Sequence, residues 1–204
     1  YQKIYEENSK RDKSQPEFEL IDTGAFDDDL YFDIFIEYAK ADCDDICIKI
    51  TALNRGAQAA PLHVLPTVWF RNDWSWDDRS QKPILHAVPV ETENLSAVEL
   101  KKNGFGVYRL WCEGSSQLLF CENETNFARL YGSENSSLYA KDGINDFVVN
   151  KNHRAVNPQQ SGTKAAAQYV LMLPPHGKEV IYLRLSGKSP AAGRSGTRGP
   201  PPAR

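Results

Sequence analysis

Carboxylates dominate the residues that could do chemistry. Asp27, Asp28 and Asp29 stand in a row, Glu122 and Glu124 stand two apart and so share a face of extended chain, and Asp142 and Asp146 flank Gly143. Two carboxyl groups held across a glycosidic bond supply the acid and base of a glycosidase, and the same oxygens ligate a hard cation such as calcium. Spacing alone fixes no mutual distance, so each set reads equally as solvated surface. The four histidines, His63, His86, His153 and His176, lack metal-ligand spacing; His63 sits in an apolar strand as a core side chain and His176 occupies a turn. No G-x-S-x-G elbow, P-loop or G-x-G-x-x-G opens a helix, so acyl-transfer, nucleotide and dinucleotide chemistry have no anchor. Neither a metal nor a cofactor is expected.

The most informative segment is Trp69-Phe70-Arg71-Asn72-Asp73-Trp74-Ser75-Trp76, which leaves a strand and enters a polar loop. Large rings on a polar loop are costly unless covered or used. A sugar uses them well, because its C–H faces pack on an indole while Asp, Asn and Arg bond its hydroxyls. Trp69, inside the strand, is expected in the core. Trp74 and Trp76 can fill the core or face a sugar, and at least one of them is expected to be exposed beside Arg71 and Asp73.

The elements that must position these residues are mostly strands. Phe32, Ile34, Ile36 and Tyr38 alternate with Asp33, Phe35 and Glu37, and Ile46, Ile48 and Ile50 alternate with Cys47, Lys49 and Thr51. That period of two places one set on a buried face. Further strands are predicted at 62–70, 106–112, 118–122, 166–173 and 180–185. Gly114-Ser115-Ser116 and Pro174-Pro175-His176-Gly177 read as hairpin turns joining the last two pairs. Seven or more short antiparallel strands imply an all-β chain built as a β-sandwich. Helix is expected at 1–13, where Tyr1, Ile4 and Tyr5 share a stripe, and in a turn or two near 142–149.

Composition excludes several classes. The chain has 204 residues, 41% hydrophobic and 25% charged, with a formal charge of −3. A chain of this size buries about 70% of its unfolded surface in one core. No apolar run reaches the 18 residues or so that a membrane helix needs. The basic residues are scattered, without the patch of a nucleic-acid binder, so no nucleic-acid partner is expected. The last 18 residues, 187–204, hold four Gly, four Pro and four basic residues but no acidic or large apolar side chain. They form a second segment, expected to be disordered, beside a folded domain of residues 1–186 that carries 20 basic and 27 acidic residues, a charge of −7.

Cys43 and Cys47 lack the two-residue spacing of zinc or redox pairs, and in a hairpin about Ser115, Cys121 falls opposite Leu110, too far from Cys112 for a bridge. Four reduced thiols and the absence of a signal peptide predict a cytoplasmic compartment. Sequons at Asn94, Asn123 and Asn135 would matter only on a secreted protein.

Five runs carry a family resemblance: PEFELIDTGAFDDDLYFDIFIEYAKA from Pro16, APLHVLPTVWFRNDWSW from Ala60, ENETNFARLYG from Glu122, KDGINDFVV from Lys141 and AVNPQQSGTKAA from Ala155. In collinear order across residues 1–186, they resemble the N-terminal β-domain of glycoside hydrolase family 63 proteins of the mannosyl-oligosaccharide glucosidase type. The resemblance implies a β-supersandwich that partners an (α/α)6 barrel, where an acid and a base carboxylate hydrolyse α-glucosidic linkages with inversion. Those carboxylates belong to the barrel, so the resemblance places no catalytic residue on this chain. It implies a supporting role, in which the loop of Arg71, Asp73, Trp74 and Trp76 and the turn of Lys141 and Asp142 border the barrel's sugar pocket. A free-standing carbohydrate-binding module and an inactive structural fragment are the alternative readings.

Overall fold

The computed structural model describes residues 1–76, 80–114 and 117–187. The predicted disorder of the tail concerns residues that, apart from Gly187, lie outside this range. Helix α1 (Gln2–Ser9) leads into strands β1 (Phe32–Asp42), β2 (Asp45–Asn54), β3 (Ala60–Val64), β4 (Thr67–Trp69), β5 (Ile84–Val88), β6 (Leu95–Lys102), β7 (Gly106–Glu113) and β8 (Gln117–Cys121). Helices α2 (Phe127–Tyr131) and α3 (Gly143–Asn150) follow, then β9 (Ser161–Gly162), β10 (Lys164–Leu173) and β11 (Lys178–Ser186).

All pairings are antiparallel, in two sheets. The large sheet runs β1-β2-β11-β7-β6-β5-β9, and the small one holds β10 between β8 on one side and β3 with β4 on the other. The protein is an all-β sandwich, as the alternation predicts. Leu85, Val98, Leu100, Leu110, Ile181 and Leu183 of the large sheet pack against Phe120, Ala165, Ala167 and Tyr169 of the small one. A second cluster lies on the outer face of the small sheet, where Ile144 and Phe147 of α3 cover Leu119, Cys121 and Ala166.

Several expectations are corrected. The strand predicted at 62–70 is interrupted at Pro66, which has no N–H to give a ladder. Register nevertheless continues through the break, with Tyr169 opposite Val64 and Ala166 opposite Thr67. Neither predicted hairpin exists: β7 pairs with β6 and β11 while β8 pairs with β10, and β10 and β11 likewise belong to different sheets. In both cases the chain passes from one sheet to the other. A period-two pattern is the same whether the next strand folds back in its own sheet or crosses the core. The Cys112 and Cys121 thiols are unbridged for a different reason from the one predicted: they lie buried in separate clusters, Cys112 opposite Leu183 and Cys121 opposite Lys164.

Helix α1 is shorter than predicted and buries no residue; Tyr1 and Tyr5 stay exposed. Strand β1 departs most from expectation. Its register sets Ile34 opposite Ala52, Ile36 opposite Ile50 and Tyr38 opposite Ile48, so all three point to the core side of the large sheet. They are nonetheless 43%, 53% and 69% exposed. The small sheet is too narrow to reach beneath this edge.

Candidate functional site

The loop after β4, the segment after β8 and the turn before α3 meet at one end of the small sheet. Backbone bonds join the last two, Glu122 N–H donating to the Tyr139 carbonyl at 2.7 Å and Lys141 N–H to the Glu124 carbonyl at 2.9 Å, and neighbouring backbone is packed close. Gly162 passes so close to the Cys121 carbonyl, and Gly143 to the Ala155 carbonyl, that a side chain at either position would collide with it. Asn amides then fasten the loop: Asn72 Nδ2 donates to the Asn123 carbonyl at 3.1 Å, Asn123 Nδ2 donates to the Phe70 carbonyl at 2.9 Å, and Ser75 N–H donates to Asn72 Oδ1 at 3.1 Å.

These segments enclose a groove of about 400 Å³ whose lining includes Trp69, Arg71, Trp76, Phe127 and Lys141. Trp76 is 74% exposed, and the Arg71 guanidinium lies 5.3 Å from its ring centroid, within cation–π reach. Trp69, expected in the core, is instead 54% exposed. Its register opposite Lys164, which in turn pairs with Cys121, turns it to the outer face of the small sheet, while Val68 and Phe70 pack toward the core. The chain therefore presents two indoles at the groove; the core expectation for Trp69 fails because it stands between two core-facing neighbours, Val68 and Phe70, and so takes the outward row.

Trp74 lies behind the groove wall. Its Nε1 donates to Glu124 Oε1 at 3.0 Å, Ser136 Oγ donates to Oε2 at 2.6 Å, and Lys82 Nζ sits 2.8 Å from Oε1. Burial alone would push the Glu124 carboxyl up, but the donors Lys82, Ser136 and Trp74 outweigh it and hold the group below its ordinary value. Lys82 also reaches Glu122 at 3.1 Å, and Thr163 Oγ1 donates to Glu122 at 2.8 Å. The two glutamates thus share one ammonium, on the common face that their spacing implies.

Asp142 forms a neighbouring cluster outside the groove. Arg129 Nη1 lies 2.9 Å from Asp142 and 3.7 Å from Asp146, and Asn126 Nδ2 bonds Asp142 at 3.1 Å. Burial opposes ionisation there, but Asn126 and Arg129 prevail and lower the Asp142 pKa. Asp73 turns away from the groove to Lys102, 2.7 Å from its Nζ. Of the six residues predicted to border a sugar, Arg71, Trp76 and Lys141 line one groove, Trp74 supports its wall, and Asp73 and Asp142 are spent on other partners. Sequence reasoning did not find Lys82, Ser136 or Phe127, which only tertiary structure brings here. No group of His, Cys, Asp and Glu among the described residues is arranged to hold a metal ion.

A second groove, of about 420 Å³, crosses the outer face of the large sheet over Trp111, Tyr182 and Leu95. It is apolar and contains none of the predicted site residues.

The chain is 31% identical over 211 aligned positions to Uncharacterized protein YMR196W of Saccharomyces cerevisiae (strain ATCC 204508 / S288c). The match takes in 88% of this chain but 19% of the yeast protein, so the chain spans about a fifth of that relative's length. No family profile matches the chain.

Proposed function

We propose that this chain is the non-catalytic N-terminal β-domain of a glycoside hydrolase resembling family 63, of the mannosyl-oligosaccharide glucosidase type. It supports an (α/α)6 catalytic domain of a longer polypeptide and borders that domain's sugar pocket. The observation that carries this reading is the bare core face of β1. Ile34, Ile36 and Tyr38 stand exposed on the side of the sheet that elsewhere is sandwich interior, and Leu20, Ile21, Phe26 and Leu30 are exposed just ahead of them in the chain. Exposed apolar surface costs about 25 cal/mol per Å² relative to burial, which makes such a face a docking surface. The length of the yeast relative leaves room for the domain that would dock.

A second reading, a stand-alone carbohydrate-binding module, is favoured by the exposed indoles of Trp69 and Trp76. Sequencing the transcript past the Arg204 codon discriminates the two. Several hundred codons of helical-repeat sequence are expected for the supporting domain, and an immediate stop would overturn it in favour of the module.

A further inference from the structure

The charged groups around the Trp76 groove are unequally satisfied. Among the described residues, each nearby carboxylate has a cation beside it: Lys82 beside Glu122 and Glu124, Lys102 beside Asp73, and Arg129 beside Asp142. Glu124, the one carboxylate among the described residues of the groove lining, accepts from Trp74 and Ser136 as well, which leaves it little capacity for a sugar hydroxyl. Two lining cations are not matched in this way. Among the described residues, Arg71 rests on the Trp76 ring without an ion pair, and the Lys141 ammonium reaches the Thr125 hydroxyl at 3.4 Å. A neutral sugar is bound by groups that accept as well as donate, whereas the charged groups free here can only donate.

We infer that the groove takes an anionic saccharide, which lays a C–H face on the Trp76 indole and sets a carboxylate or phosphate against the Arg71 guanidinium and the Lys141 ammonium. This rests on the reading of the groove as sugar-bordering and specifies the ligand's charge. Arg71 supplies the planar donor fork that such an oxyanion matches, and its stacking on Trp76 holds that fork beside the platform on which the ring would sit. Lys141, in the same lining, adds a point charge. The Asn72 and Asn123 amides fasten the loop after β4 to the segment after β8, so the ligand need not organise the loop.

Titration of the chain at low salt with glucuronic acid, glucose 6-phosphate, glucose and inorganic phosphate, followed by tryptophan fluorescence, tests the inference. Both acidic sugars should bind at least about tenfold more tightly than glucose. Arg71→Gln and Lys141→Gln should each remove most of that preference, and Trp76→Ala should weaken both acidic sugars. Circular dichroism of the variants guards against misfolding, and all three side chains are exposed. Equal affinity for glucose and the acidic sugars would overturn the anionic preference while leaving the sugar groove standing. Phosphate binding as tightly as glucose 6-phosphate, untouched by Trp76→Ala, would overturn it in favour of a bare anion site. If no sugar binds, both the inference and the sugar-bordering reading fall.

Discussion

Trp74 Nε1 donates to the Glu124 carboxylate at 3.0 Å, and that bond ties the loop after β4 to the segment after β8. Glu124 is the point on which the groove's back wall converges, since Lys82 and Ser136 meet the same carboxylate. Replacing Glu124 by Gln removes the charge that three donors face and should cost about 1–3 kcal/mol at neutral pH, measured by urea unfolding.

The same group carries a pH dependence. Its folded pKa lies below the ordinary value of 4.5, so its stabilisation is complete above that value and disappears as pH falls through the lower folded pKa. The unfolding midpoint of Glu124→Gln should therefore be less sensitive to acidification below about pH 4.5 than that of the parent chain. An identical acid limb in both proteins would show that the Glu124 contacts do not stabilise its ionised form.

Core and groove aromatics should separate by stability. Phe120 is fully buried between the sheets, and Phe120→Ala should cost about 3–5 kcal/mol. Trp69→Ala and Trp76→Ala remove exposed rings and should each cost under about 1 kcal/mol. Thermal melts of the three variants check this, and a core-sized loss at Trp76 would show that its ring is packed rather than presented.

The alternation of Ile46, Ile48 and Ile50 announces β2 correctly, because that strand has one core-facing and one outward row. It misleads at β1, whose identical pattern lies over nothing, since burial there depends on the width of the opposite sheet. Strand β6 escapes pattern reading because adjacent residues Ala97 and Val98 are both buried, one under each face of the sheet. The aromatic loop stands out as a candidate site from its composition alone. Its ion pairs are not, because Lys82 meets Glu122 and Glu124 across about forty residues of chain.

Thiol chemistry should divide the four cysteines into two pairs. Cys43 and Cys47 are exposed, while burial pushes the Cys112 thiol up to about 12 and the Cys121 thiol up to about 11. Iodoacetamide at mildly alkaline pH should label Cys43 and Cys47 in the native chain, and Cys112 and Cys121 only after denaturation. Mass spectrometry of the labelled peptides reads the outcome. Rapid native labelling of Cys112 would mean that the sandwich opens.

The chain alone should not hydrolyse p-nitrophenyl α-glucoside. Glu122 and Glu124 share one ammonium and Asp142 is engaged by Arg129, so these three carboxylates do not face each other as acid and base across a free cleft. Turnover by the purified chain that vanishes in Glu122→Gln or Asp142→Asn would place catalysis in this domain.

Docking through the bare face of β1 is tested most directly by hydrogen exchange at 32–42, measured in this chain alone and in the longer polypeptide encoded by the full reading frame. Burial of Ile34, Ile36 and Tyr38 by a catalytic domain should slow the β1 amides that point away from β2 by about tenfold or more in the longer protein. Equal exchange in the two proteins would contradict the docking of β1 and, with it, the supporting role proposed for this domain.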